Sequence, residues 1–360
     1  MKICIIGNSL TSLTLAKALV KKEIFVDIFY KNKNTYLDKT RTIGISKSNI
    51  NFFINNISKI NKILWPIKKI KIFSENSEDD ELIAFEDQNN YLFSIMNNHQ
   101  IYNQLNSELN KIKYYKAKKD IPFKNLINLG YDLIINCDPN HLITKKFFSK
   151  KFEKKYNSTA FTTIINHKKI SSNNIATQIF TKRGPIAFLP ISNDKTSIVY
   201  SMRIKAGEKN LDVDKLIRKF NPNFKIVKIN KISKFKLNSL NLRNYYKSNI
   251  LAFGDLLHKL HPLAGQGFNM SVRDIKNLLD VIDKKIELGL PLDESVCIEF
   301  QNITRSENFI FSEGIDFIYE YFNSKNKIKN NLIDKSIRYI GKHKYLNNYF
   351  KKIADVGLQT

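Results

Sequence analysis

The stretch NILAFGDLLHKLHPLAGQGFN, Asn249 to Asn269, gathers the residues of this chain whose types and spacing could do chemistry. The protein has 12 glycines in 360 residues, yet Gly254, Gly265 and Gly267 all fall here, beside His258, His261 and Pro262. NILAFGD reads as an apolar strand ending in Gly254 and Asp255. GQGFN opens a helix whose Met270, Ile275, Leu278, Leu279 and Ile282 are spaced to pack. Glycines directly before a helix expose backbone N–H groups that have no intrahelical partner, and the helix dipole there favours negative charge. The pattern therefore predicts an anion site, with the strand-end carboxylate of Asp255 placed to accept hydrogen bonds from sugar or polyol hydroxyls. Each residue taken alone also has a plainer reading: a helix-entry turn for the glycines, a turn cap for Asp255, and loop hydrogen bonding for the two histidines.

The elements that must position this stretch are legible around it. KICII (Lys2 to Ile6) is a short apolar run, Leu10, Leu13, Ala16 and Leu19 follow at helical spacing, and IFVDIFY reads as a second strand. A strand, a tight turn at Gly7, a helix and a strand within about thirty residues form a βαβ unit, the usual opening of a dinucleotide-binding domain. YDLIINC (Tyr131 to Cys137) reads as another buried strand of the same sheet. In contrast, PIKKIKIFSEN, TAFTTIINHKK, NIATQIFTKRG, PIAFLPIS and TSIVYSMRI are short segments punctuated by turns, which predicts an antiparallel sheet. From about Leu292 the apolar spacing is helical again, as at Ile328, Leu332, Ile333, Ile337 and Ile340. Two discontinuous domains folded together, with a helical tail, follow from this interleaving.

Composition narrows the function. The 59 basic and 33 acidic residues give a net charge of +26. Only 8 of the basic residues are arginines, so the planar fork suited to phosphate recognition is scarce. A lysine-swollen surface argues weakly for nucleic acid, which we exclude as a partner, and better for an anionic membrane. Cys4, Cys137 and Cys297 lie far apart with no metal-ligand spacing, so no metal site and no disulfide framework are expected. No apolar run reaches the roughly 18 residues of a membrane span, and Met1 leads straight into strand-like sequence. A cytoplasmic protein, peripheral on the inner face of the membrane, is the expectation.

GDLLHKLHPLAGQGFNMSVRD resembles the second flavin motif of the class A flavoprotein aromatic hydroxylases, and most closely the 2-polyprenyl-6-methoxyphenol hydroxylases of ubiquinone biosynthesis. RTIGISKSNINFF, WPIKKIKIF, YNSTAFTT, IFTKRGPIAFLPI and SEGIDFIYEYF resemble further segments of that family in order, so the likeness runs over nearly the whole chain. The resemblance implies an α/β fold. Its parts are a Rossmann-like FAD-binding domain (residues 1–64, 96–153 and 236–288), an interleaved antiparallel-sheet substrate domain (65–95 and 154–235) and a C-terminal helical segment (289–360). It implies FAD and NAD(P)H as cofactors, O2 as co-substrate, and hydroxylation of a polyprenylated phenol through a flavin C4a-hydroperoxide. Asp255 would bind the ribityl chain, and Gly265, Gln266 and Gly267 would offer amides to the pyrimidine edge. Gly254, Asn269 and Arg41 would stand on the flavin side, and His261 and Pro262 would line the reacting face. Other ubiquinone-biosynthesis proteins are possible partners by the same resemblance.

The sequence also departs from the family. The first glycine motif reads Gly7-Asn8-Ser9-Leu10-Thr11-Ser12, with Ser9 and Ser12 where glycines are expected. Tyr30 stands where a strand-end acid would meet the ribose, Asp138 is followed by Pro139 instead of glycine, and His99 falls where an arginine is expected. These changes bear on adenosine-diphosphate binding and nicotinamide use, whereas the isoalloxazine-side motif is intact. They keep open a second reading, a catalytically weak or silent accessory protein of the same pathway, alongside a hydroxylase of another aromatic.

Overall fold

A computed structural model describes residues 1–31, 38–75, 81–87, 90–204, 211–325 and 343–358. The expected stripe from Ile328 to Ile340 lies outside the described residues.

Strand Lys2–Ile6 lies inside a six-stranded sheet because its side chains are apolar on both faces, with Ile3, Cys4, Ile5 and Ile6 all buried. It pairs in parallel with Phe25–Tyr30 on one side and Leu133–Asn136 on the other. Tyr115–Lys119 extends the sheet beyond Phe25–Tyr30, and Ile250–Ala252 extends it beyond Leu133–Asn136. Helix Leu10–Val20 follows the Gly7 turn and is buried along nearly its whole length.

The second sheet has nine strands and is built around Lys151–His167 and its antiparallel neighbours Lys195–Arg203 and Ser233–Leu242. One pairing departs from the antiparallel expectation. Lys69–Ser74 runs parallel to Ile175–Thr181, because the chain leaves for the first sheet between them and returns by a long crossover instead of a hairpin. Between Lys155 and Ser158 the register of the central strand shifts, with Asn157 at φ +52°, a left-handed value that asparagine tolerates. That bulge turns Tyr156 toward the centre of the molecule. A third, three-stranded sheet joins Thr42–Ser46 and Trp65–Ile67 to Phe93–Asn97, so it spans the expected boundaries at 64 and 96.

Helix Gln266–Glu287 lies against helix Leu10–Val20 and against the long helix Glu294–Lys325. Where it meets the second sheet, His258 Nε2 lies 2.5 Å from Asp274 Oδ2, and Asn308 Nδ2 donates to Asp274 Oδ1 at 2.9 Å. His258 and Asp274 are each about 1% exposed, so this hydrogen-bonded set pins three elements in a region with no water to replace a lost partner. His258 is thereby a structural residue. Removing one member of such a pair costs about 3 kcal/mol or more. Asp274→Ala should accordingly lower the free energy of urea unfolding by about that amount, with the denaturant slope unchanged.

Candidate active site

The carboxyl ends of the parallel strands converge on Gly7. Its φ is +99°, and a Cβ there would stand 3.3 Å from the Asp138 Cβ and amide nitrogen, so only glycine lets the two loops meet. Ser9 caps the first helix: its Oγ accepts from the Ser12 amide at 3.2 Å and lies 2.9 Å from the Ser12 hydroxyl. The two serines thus bond each other and satisfy one amide. The Leu10 and Thr11 amides have no hydrogen-bond partner among the described residues, which leaves a helix N-terminus open to an anion. Gly254, at φ +66°, packs on this turn, since a Cβ there would lie 3.0 Å from Thr11 Cγ2. Asp255, next to it, is exposed, while Asp138 is half-buried and accepts from the Asn140 amide at 2.8 Å. Sequence motifs about 130 and 250 residues apart are therefore brought to one groove.

The second centre is the start of helix Gln266–Glu287. Gly265 is left-handed at φ +63° and no side chain caps the helix, so its first amides stay available. A Cβ on Gly265 would meet the Gly44 amide at 3.4 Å, whereas one on Gly267 would meet nothing within 4 Å. Gly265 is thus fixed by conformation, and Gly267 borders open space. The Gln266 side-chain oxygen is buried without a partner. Asn269, expected at the cofactor, is held by protein groups. Its Oδ1 accepts from the Ser46 amide at 2.9 Å and from Asn49 Nδ2 at 3.0 Å, and its Nδ2 donates to Gly44 O at 3.1 Å. Arg41, also expected there, is exposed with its guanidinium 4.9 Å from the centre of the Phe235 ring, on the second sheet.

His261 stands where these two centres meet the second sheet. It is 1% exposed, and neither ring nitrogen has a partner among the described residues. Tyr319 stacks on it with centroids 4.0 Å apart, and Tyr156 meets it edge to face at 5.0 Å. Tyr156 donates a very short hydrogen bond to Asp316, which also accepts from Ser239 at 3.0 Å. Burial alone pushes the His261 pKa down to about 3, so the ring is neutral at physiological pH. Pro262, half-buried, opens the short turn Leu263–Gly265 beside it. Tyr156, Ser239, Asp316 and Tyr319 were not legible as site residues. They come from two strands and a helix, and the likeness of YNSTAFTT and SEGIDFIYEYF to family segments covered Tyr156, Asp316 and Tyr319 without singling them out.

These features fit a flavin dinucleotide. The site offers two helix N-termini with open amides for the anionic parts, an exposed carboxylate for the hydroxylated chain, and, among the described residues, a buried amide oxygen without a partner at the second helix start for a ring N–H. A family model described as FAD binding domain matches residues 132–287, which hold the second glycine motif but not the first. By that match the chain carries an FAD-binding domain. FAD is its cofactor, and NAD(P)H is the reductant of its class. It is 21% identical to the ubiquinone biosynthesis monooxygenase COQ6 of Danio rerio over 332 residues, covering 74% of this chain and 68% of the relative. Over 155 residues it is 30% identical to the 3-demethoxyubiquinol 3-hydroxylase of Escherichia coli, covering 41% and 39%. In fold it is similar to the p-nitrophenol 4-monooxygenase PnpA of Pseudomonas putida, with a TM-score of 0.78, 10% identity and 99% and 98% of the two chains covered.

The neutral His261 has a measurable consequence. Its folded pKa lies below the unfolded value, so between about pH 6.5 and the folded value of about 3 the unfolded chain binds the extra proton. Stability present above that window should fall as pH drops through it, by up to about 1.4 kcal/mol per pH unit from this group. His261→Phe should flatten that part of a pH series of melting temperatures relative to the parent chain.

Proposed function

We propose that this chain hydroxylates the ring of a polyprenylated phenol in ubiquinone biosynthesis. The observation that carries the reading is His261, a buried neutral imidazole with no partner, walled by Tyr156 and Tyr319 next to the Gly265 helix start. The ubiquinone-pathway roles named for its relatives support the same substrate class. Bound FAD supplies the redox chemistry, passing reducing equivalents from NAD(P)H to O2 and one oxygen atom to the ring.

The protein's own part is binding, orientation and exclusion of water. In this reading the helix start at Gln266 and Gly267, after Gly265, would hold the pyrimidine edge of the flavin and stabilise the negative charge that gathers there. Asp255 accepts from the ribityl hydroxyls, and Gly7, Ser9, Ser12 and Asp138 shape the groove for the diphosphate, with the Leu10 and Thr11 amides as donors. Gly254 keeps that groove closed against the first helix. His261 accepts a hydrogen bond from the phenol O–H, which raises electron density on the ring and favours electrophilic attack. Pro262 holds the histidine loop beside the reacting face. Leu237, Leu263 and Phe180, buried around Tyr156 and Tyr319, keep water out. Residues 1–64, 96–153 and 236–288 would carry the flavin, and 65–95 with 154–235 the substrate.

Oxygen uptake by the purified chain with FAD, NAD(P)H and a short-tailed prenyl phenol tests this. Phenol-dependent uptake matched by hydroxylated product is expected. Gly267→Val, whose side chain enters open space and so leaves the fold intact, should reduce uptake by about 100-fold by occupying the ligand's place. Flavin-loaded chain that shows no phenol dependence would exclude this substrate class.

A prenyl tail keeps such a substrate in the bilayer, yet no described helix is long and apolar enough to cross a membrane. The chain would therefore approach the surface. Helix Lys344–Val356 exposes Tyr345, Tyr349 and Phe350, and the net charge of +26 adds attraction to anionic lipid. Co-sedimentation with phosphatidylglycerol vesicles at low salt, declining as salt rises, is the expected result; no binding at low salt would remove the membrane from this reading.

A further inference from the structure

A cleft of about 390 Å³ opens at the carboxyl ends of the first sheet, within the size range of small-molecule sites. Lys31, Lys119, Asp120, Phe123, His141 and Leu142 line it. None of them belongs to either glycine motif. The cleft nevertheless adjoins the Gly7 turn. The Asp120 amide donates to Tyr30 O at 3.0 Å, the Gly7 amide donates to Phe29 O at 2.7 Å, and the His141 amide donates to the carbonyl of Asp138, which abuts Gly7. In open α/β sheets this end of the strands is where a dinucleotide's adenosine lies.

The position that would supply the ribose-binding acid, Tyr30, has no carboxylate. Tyr30 pairs with Lys119, however, so Asp120 follows at the end of the neighbouring strand, one strand spacing away on the same rim. Its carboxylate is held in place. His141 is 3% exposed and its Nδ1 accepts from the Ile143 amide at 3.2 Å, which puts the ring proton on Nε2, 3.4 Å from Asp120 Oδ1. A carboxylate fixed by a buried imidazole, with an aromatic and an aliphatic wall beside it and two ammonium groups at the rim, is a complete set of contacts for a nucleoside joined to a diphosphate.

We infer that Asp120, oriented by His141, binds the ribose of the cofactor's adenosine in place of the missing strand-end acid. Adenine packs against Phe123 and Leu142, and Lys31 and Lys119 offset the diphosphate charge. His141 is a positioning residue, since it acts through Asp120. The inference rests on the flavin reading of the site and extends it to residues outside both glycine motifs.

The test compares FAD with FMN, which has the same flavin, ribityl chain and one phosphate but no adenosine. Dissociation constants are read from quenching of flavin fluorescence, with no turnover required. The parent chain should prefer FAD. Asp120→Ala and the shape-preserving Asp120→Asn should each weaken FAD by about tenfold, the scale of a hydrogen bond to a charged group, and leave FMN binding unchanged. Retained FMN binding also shows that the variants fold. Asp255→Ala, at the ribityl chain, should weaken both ligands together. An unchanged FAD preference in both Asp120 variants, or loss of both ligands in both, overturns the assignment while the flavin reading stands. A parent chain that binds neither ligand overturns the flavin reading and this assignment with it.

Discussion

One side-chain amide holds the flavin half of this molecule in register. Asn269, on the first turn of helix Gln266–Glu287, accepts from Ser46 and Asn49 and donates to Gly44. Strand Thr42–Ser46 is thereby fixed against the helix start, close enough that Gly265 faces the bare backbone of Gly44. The third sheet hangs from that strand. The helix Lys47–Asn56 begins on it, capped by Ser46, and Asp355 from the C-terminal helix accepts from the Ser48 amide at 2.8 Å. Because the strand, its following helix and the helix start meet at one saturated amide, and the C-terminal helix is tied to the same strand end, the uncapped amides beside it keep a fixed direction. Preorganised donors of that kind, aimed where negative charge gathers, act without reorganising when it does.

Two histidines three residues apart show how position decides chemistry. His258 finds Asp274 and becomes part of the packing between two helices and a sheet. His261 is equally buried but meets only aromatic faces and apolar walls, which leave its nitrogens unpartnered and push its pKa far down. An unpaired buried imidazole costs stability, and a chain retains such a group where a ligand supplies the missing partner. Asp316 stands on the other side of Tyr156, a buried carboxylate satisfied by the hydroxyls of Tyr156 and Ser239.

The two halves of the cofactor groove differ in how they are built. The flavin half relies on backbone: glycines, a left-handed residue and open helix amides. The half proposed for the adenosine lacks most of that backbone pattern, with Ser9 and Ser12 for glycine and Tyr30 for an acid, and the cleft beside it is lined by Asp120, Phe123 and His141. Backbone recognition leaves its mark as glycine at fixed spacing. Side-chain recognition leaves no such fixed spacing, and the family model matches the second motif and not the first.

The sequence by itself determined the parallel sheet, the second sheet and the helix after Gly267, because each rests on local periodicity: continuous apolar runs, turn-bounded short segments, and apolar residues every three or four positions. It also pointed to Gly7, Gly254 and Gly265, which all have positive φ and a close neighbour, but it did not reveal Gly184, where a Cβ would run into the Ser201 carbonyl oxygen. What only the tertiary structure decided was partnership. The role of Asn269 depends on Gly44 and Ser46, more than 220 residues earlier in the chain, and that of His258 on a helix position whose spacing says only that it is buried. The parallel pairing of Lys69–Ser74 with Ile175–Thr181 follows from the route of the intervening chain. The pairing of Asp120 with His141 depends on two loops at the same rim of the sheet. Local sequence encodes the conformation of each segment, but the partner of a polar side chain is set by what the fold carries to within about 3 Å of it.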